Sequence, residues 1–192
     1  MKNIKLFIVG IILSLSLSSC GYNTMVTMDE AVTAQWQQVE NVYQSRMDKT
    51  KNLMEIVKGA SNFEKETLES VMQARAKATS IQLNVNDLTP ENLAKYEQAQ
   101  AQLSGSLSRL MAVAERYPEL QSIGAFRDFQ AQYEGMENRI AVERKKYNET
   151  AQKYNTYIRR FPNNFIASSF GFEPRAYFQA TEGAEVAPEI KF

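Results

Sequence analysis

Seven side chains carry the types and spacing for chemistry: Arg46, Glu64, Arg75, Glu137, Arg144, Asn148 and Asn155. The first three share one helical stripe. Eighteen residues separate Arg46 from Glu64 and eleven separate Glu64 from Arg75, both near whole numbers of turns. The last four lie on one face of a second helix, at steps of seven, four and seven. Two carboxylates in one cleft, with their pKa values pushed apart, could work as an acid–base hydrolase. Without a cleft, the same residues form a buried polar network that fixes helix register. A lone buried charge is costly, so each needs a partner. Glu64 facing Arg144, and Glu137 facing Arg46 or Arg75, are the expected pairs.

Other chemistries lack their residues. The chain has no histidine, so the Glu-x-x-His template of di-metal bundles cannot be met. A single cysteine excludes an intrachain disulfide or a thiolate cluster. Glycine-rich phosphate loops and nucleophile elbows are absent. We therefore expect no catalytic residue, metal or cofactor. With 22 basic and 22 acidic residues, the 192-residue chain is not visibly basic, which disfavours a nucleic-acid partner.

The elements that would carry these residues are long helices. From Trp36 to Ile81 there is no proline, and Trp36, Val39, Tyr43, Thr50, Leu53, Val57, Ala60, Val71 and Ala78 make one apolar stripe. Asp29 is its expected N-cap. Gly59-Ala60-Ser61-Asn62 is its weakest point, where a kink or one-turn break is expected. Thr89-Pro90-Glu91 starts a second helix by cap, proline and acid. Leu93, Tyr96, Ala99, Leu103, Leu107 and Leu110 follow at helical spacing, ending near Tyr117 before Pro118. In the last helix Phe126, Tyr133, Ile140, Tyr147, Tyr154 and Phe161 repeat every seven residues. This aromatic column reads as core, or alternatively as a groove for an apolar ligand if part of it stays open. The fold class is all-α: an antiparallel, coiled-coil-like bundle of three to four long helices. Residues 163 to about 178 are too apolar for a free tail and should fold back on it. Residues 179–192 are expected to be disordered.

The N-terminus points to a membrane. Lys2 and Lys5 precede an apolar run, Leu6 to Leu17, too short to span a bilayer comfortably. Leu17-Ser18-Ser19-Cys20 resembles a bacterial lipobox, in which the cysteine is acylated (by palmitate, for example) after cleavage before it. Residues 1–19 then form a lipoprotein signal peptide and 20–28 a lipidated tether, followed by the bundle at 29–162 and the C-terminal segment at 163–192. The mature chain keeps 20 basic against 22 acidic residues. With no polybasic patch for anionic lipid, the acyl chains on Cys20 must anchor it. Gly21, rather than an aspartate, after Cys20 favours the outer membrane over the inner.

The ordered set of segments resembles the LemA family of bacterial envelope proteins. Trp36 to Asp48, Asn52-Leu53, Val57-Lys58-Gly59 and Glu64 to Ala76 carry it first. Tyr117-Pro118-Glu119-Leu120, Glu137-Asn138-Arg139-Ile140, Arg144, Tyr147-Asn148, Tyr154-Asn155 and Phe161-Pro162 follow. The resemblance implies an antiparallel bundle of long helices tethered by its N-terminus. It also implies no established biochemical activity, with one branch associated with membrane organelle formation. Two positions depart from the family. Lys49-Thr50-Lys51 stand where an apolar pair and a proline are usual, so the first helix should run straighter. Phe63 stands where a histidine is frequent, so no metal or proton role can pass through it.

The function expected is a non-enzymatic, lipid-anchored scaffold or adaptor of the cell envelope, facing the periplasm and working with an envelope protein partner. The alternatives are a binding module for a lipid or other apolar ligand, and a carboxylate-dependent hydrolase.

Overall fold

The computed structural model describes residues 2–60 and 63–179, with side chains along the first helix from Gly21 onward. The side chains of residues 1–20, Cys20 among them, and residues 180–192 lie outside the described residues, and with them the expected lipidation site and most of the expected disordered tail. The chain is all-helical. Its elements are α1 (Lys2–Lys58), α2 (Lys65–Ser80), α3 (Pro90–Ala114), α4 (Pro118–Ser122), α5 (Gly124–Arg159) and α6 (Asn163–Phe170). A single 3₁₀ turn, Val85–Asp87, precedes α3.

The helix boundaries follow local chemistry with two exceptions. Thr89 caps α3, its hydroxyl accepting from the Asn92 amide at 3.2 Å, with Pro90 at the first position. α1 stops at Lys58 and α2 starts at Lys65, so the stripe from Trp36 to Ala78 belongs to two helices. Its members Trp36, Val39, Tyr43, Thr50, Leu53, Val57, Val71 and Ala78 are all buried. α1 passes unbroken through Lys49-Thr50-Lys51, and the buried Thr50 hydroxyl donates to the Arg46 carbonyl at 2.7 Å. The first exception is Asp29, which caps nothing: α1 already contains residues 21–28, with Met25 fully buried. Local cap propensity loses there to packing of the preceding turn. The second is Phe161, last of the heptad column. α5 ends at Arg159, and Phe161 turns out with 82% of its surface exposed.

α1 and α5 run antiparallel. Gln35 meets Glu143, Arg46 meets Glu137 and Lys49 meets Gln132, so numbers rise on one helix as they fall on the other. Two cores form along this pair. The first holds Met25, Val32, Trp36, Tyr43, Tyr96, Tyr147, Tyr154 and Phe178. The second holds Leu53, Val57, Val71, Leu103, Leu107, Leu110, Phe126 and Met136. α2 and α3 roof the second core. Over the first, only the start of α3 with Leu93 and Tyr96 remains, and the cover is completed by α6 and an extended strap, residues 171–179, that returns along α5. Gly171 makes the turn into the strap: it adopts φ 75°, the left-handed conformation that glycine tolerates.

A polar fastener and a clamped strap

The seven polar residues occupy three separate places. The first is a polar layer between the two cores. Arg46 is 1% exposed, one residue short of Met47 in the second core and three beyond Tyr43 in the first. Its guanidinium donates to Glu137 Oε1 at 2.8 Å, to the Ser104 hydroxyl, to the Gln100 carbonyl at 3.1 Å and to Gln100 Oε1 at 2.6 Å. It also lies 5.1 Å from the centre of the Tyr43 ring. Ser104 bridges both oxygens of Glu137 at 3.2 Å. One arginine thus ties α1 to α3 and α5 at one level. These four hydrogen bonds offset much of the desolvation cost of a buried guanidinium. Nε of Arg46 and Nε2 of Gln100 have no protein partner.

The second place is the strap. Asn155 donates to the Arg175 carbonyl and accepts from the Arg175 amide, both at 2.8 Å. Asn148 does the same for Phe178, both at 2.9 Å. Each side-chain amide therefore pairs with one residue's backbone as a neighbouring strand would, which satisfies an extended segment that has no sheet to join. The Tyr147 hydroxyl donates to the Ala176 carbonyl at 3.1 Å, and Arg144 to the Gln179 carbonyl at 3.0 Å. Arg144 also pairs with Glu97 on α3 and lies 4.8 Å from the Phe178 ring centre. Burial raises the Glu97 carboxyl above its usual range, with Arg144 opposing. Arg175 ties the strap across the molecule, to Asp29 on α1 at 2.8 Å and to the Val85 carbonyl at 3.1 Å. Phe178 is the plug: 5% exposed, with its ring 6.0 Å from Trp36 and 5.4 Å from Tyr147.

The third place is the far end. Glu64 pairs with Arg116 at 2.8 Å and accepts from the Thr67 hydroxyl at 3.0 Å. The expected pairing of Glu64 with Arg144 is therefore corrected. After the break at Gly59, α2 starts beside Arg116, just past the end of α3, and Arg144 instead pairs with Glu97 near the start of α3. Arg75 is not at this end but beside the first place: its Nε donates to the carbonyl of Met47, the neighbour of Arg46, at 3.0 Å, and among the described residues it meets no carboxylate.

This geometry decides among chemistries. The two glutamates of the hydrolase reading are held by different arginines. Their α3-side partners, Ser104 and Arg116, are twelve residues apart, roughly 18 Å along a helix. They do not share a cleft. Among the described residues no group of carboxylates and cysteine could hold a metal ion. Most of the aromatic column is core: Phe126, Tyr147 and Tyr154 are fully buried and Ile140 is buried, while Tyr133 is half-buried and Phe161 is out. Burial pushes the Tyr147 and Tyr154 hydroxyls up to about 12. An open surface cleft of about 650 Å³ does lie along α5, between Arg144, Asn148, Gln152 and the strap residues Tyr177 to Gln179.

Sequence reasoning missed Asp29, Glu97, Gln100, Ser104 and Arg175. Gln100 and Ser104 stand four apart on a helix whose neighbouring positions, Tyr96, Leu103 and Leu107, are core. A polar residue at a core position is the signal that could have found them.

The chain is 42% identical over 74 residues to magnetosome protein MamQ 2 of Paramagnetospirillum magneticum, covering 38% of this chain and 27% of the relative. It is 33% identical over 88 residues to magnetosome protein MamQ of Magnetospirillum gryphiswaldense, covering 44% and 32%. It is 28% identical over 130 residues to protein LemA of Metamycoplasma hominis, covering 68% and 56%. The chain thus spans about a third or less of the MamQ relatives and just over half of the LemA protein. Residues 35–192 match the LemA family, which takes in α2 to α6, the strap and most of the part of α1 that packs in the bundle. The chain belongs to the LemA family.

Proposed function

We propose that the protein is a non-enzymatic scaffold or adaptor of the bacterial cell envelope, lipid-anchored through Cys20 and facing the periplasm, with the outer membrane favoured over the inner. Its body is an antiparallel, coiled-coil-like bundle of long helices. The observation that carries the reading is the fate of the polar residues. All seven hydrogen-bond inside the chain, in three separate places, and serve to fasten helices and strap together. Membership of the LemA family and the magnetosome proteins among the relatives support a membrane-associated role. α1 suits it too, since the helix runs on from Cys20 into the bundle and is already packed at Met25. Acyl chains on Cys20 would hold the bundle close to the bilayer, where an envelope protein partner could meet it.

Two experiments test it. Radioactive palmitate should label the wild-type chain and fail to label Cys20→Ala; equal labelling of both removes the lipid anchor. Crosslinking in intact cells should then recover a reproducible envelope partner. Turnover of an envelope substrate that is lost in Glu137→Gln or Glu64→Gln would replace the scaffold with an enzyme.

A further inference from the structure

We propose that the aromatic end formed by α6 and the start of α1 docks on the bilayer surface beside the anchor, giving the protein a second point of membrane contact. The inference rests on the reading that residues 1–20 hold the chain to a membrane; which kind of anchor does so is immaterial to it.

Exposed apolar side chains are unevenly distributed. Phe161, Phe165 and Phe170 are exposed by 82%, 63% and 65%, and every exposed phenylalanine among the described residues lies at this end. Tyr22, at 38%, joins them, with its ring 4.9 Å from Phe170 and 5.7 Å from Phe172. Phe161 and Phe165 meet edge to face at 6.0 Å. Elsewhere the large exposed side chains, such as Met72, Ile123 and Val142, stand singly. Scattered apolar residues are ordinary on a surface, whereas a cluster marks a contact site.

The position of the cluster selects the occupant. α6 rests against the first described residues after Cys20. A Cβ placed on Gly21 would lie 3.1 Å from Ile166 Cδ1 and 3.4 Å from Asn163 Oδ1. Tyr22 is two residues past Cys20, about 3 Å along a helix. Whatever holds residue 20 at the membrane therefore holds α6 at the same level. Ile166 and Ala167 face the core, which leaves Phe165 with Ser168 and Ser169 on the outside. Amphipathic aromatic clusters of this sort settle at the headgroup boundary. Arg159 and Arg160 are exposed beside them, suited to lipid phosphates; Glu173 is the exposed acid of the same end. Gly21 also gains a role independent of any sorting signal, since a Cβ there would require the Ile166 and Asn163 side chains of α6 to give by a few tenths of an ångström.

The test uses the full chain in phospholipid vesicles whose acyl chains carry bromine, a contact quencher of indole. Phe165→Trp is compared with Met72→Trp, at an exposed position of α2, and with the parent, whose Trp36 is buried. The F165W protein should emit at shorter wavelength and be quenched roughly twofold more than either control, as expected for an indole in the interfacial region. Vesicle-bound F165W that is quenched no more than M72W overturns the docking while leaving the anchor standing. A chain that fails to float with the vesicles overturns both. A blue shift that appears without vesicles and grows with protein concentration assigns the cluster to a second copy and overturns the proposal.

Discussion

The two cores are built from the same α1–α5 pair, yet they are closed differently. The far core is mainly aliphatic in its middle and roofed by regular helices, with Leu53, Val57 and Val71 packed with Leu103, Leu107 and Leu110 and with Phe126 and Phe129 among them. The near core is aromatic, with Trp36, Tyr43, Tyr96, Tyr147 and Tyr154, and is closed by the strap. The reason is length. α2 ends at Ser80 and α3 begins at Pro90, so neither continues past the level of Trp36. Trp36 Nε1 donates to the Leu83 carbonyl at 3.1 Å, which marks where that roof turns. Beyond the turn, α6 and residues 171–179 supply the missing cover. A helix satisfies its own backbone, whereas an extended strap cannot, and the two asparagines make up the difference. The polar layer of Arg46, Glu137, Gln100 and Ser104 lies where one mode of closure changes to the other.

The comparison yields predictions in descending size. Arg46→Ala leaves Glu137 without its buried partner and should cost about 3–5 kcal/mol, measured by urea denaturation. Arg46→Met combined with Glu137→Leu should recover most of that loss, because apolar replacement of a whole buried ion pair is often neutral or better. If Arg46→Ala costs no more than a surface arginine, the layer is solvated and does not divide the molecule. Phe178→Ala should cost about 3–5 kcal/mol, as for a large aromatic lost from a packed core. Asn155→Ala strands the Arg175 amide and carbonyl and should cost about 1–3 kcal/mol. A similar loss for Asn138→Ala, at an exposed position of the same helix, would refute a specific clamp. Glu64→Gln breaks an exposed pair and should change stability by less than about 1 kcal/mol.

Alkaline pH distinguishes the cores by another route. Tyr147 and Tyr154 sit in the near core with pKa values raised to about 12 from 10.0 by burial. Their contribution to stability is complete below pH 10, where folded and unfolded tyrosine are both protonated. It is lost as pH rises toward 12, because the unfolded chain ionises first. Ultraviolet titration should show these tyrosines ionising late and together with unfolding of the near core. Titration at the ordinary tyrosine pKa with the fold intact would show that they are exposed.

Much of this architecture is legible in the residues. The periodic stripes, Thr89-Pro90, the weak point at Gly59 and the folding back of residues 163–178 all rest on local rules that packing did not override. The pairing of Glu137 with Arg46 is one of the options that spacing leaves open. Partner choice beyond that is not legible. Which arginine meets Glu64 depends on where α2 travels after Gly59, and periodicity says nothing of direction. Asn148 and Asn155 stand out as polar residues beside an aromatic column, but their partners are the backbone of Arg175 and Phe178. Any residue but proline offers the same amide and carbonyl there, so the strap sequence carries no sign of the clamp. Phe161 shows the converse limit. The heptad includes it, while helix termination at Arg159 removes it from the core and sets it beside Phe165.

The central claim is that the strap is the roof of the near core and of that core alone. Amide hydrogen exchange on a chain truncated after Gly171 tests it most directly. The account predicts that amides around Trp36, Tyr147 and Ala151 lose protection, while those around Val57, Leu103 and Leu107 keep theirs. Unchanged protection near Trp36, or an equal loss in both cores, would contradict it.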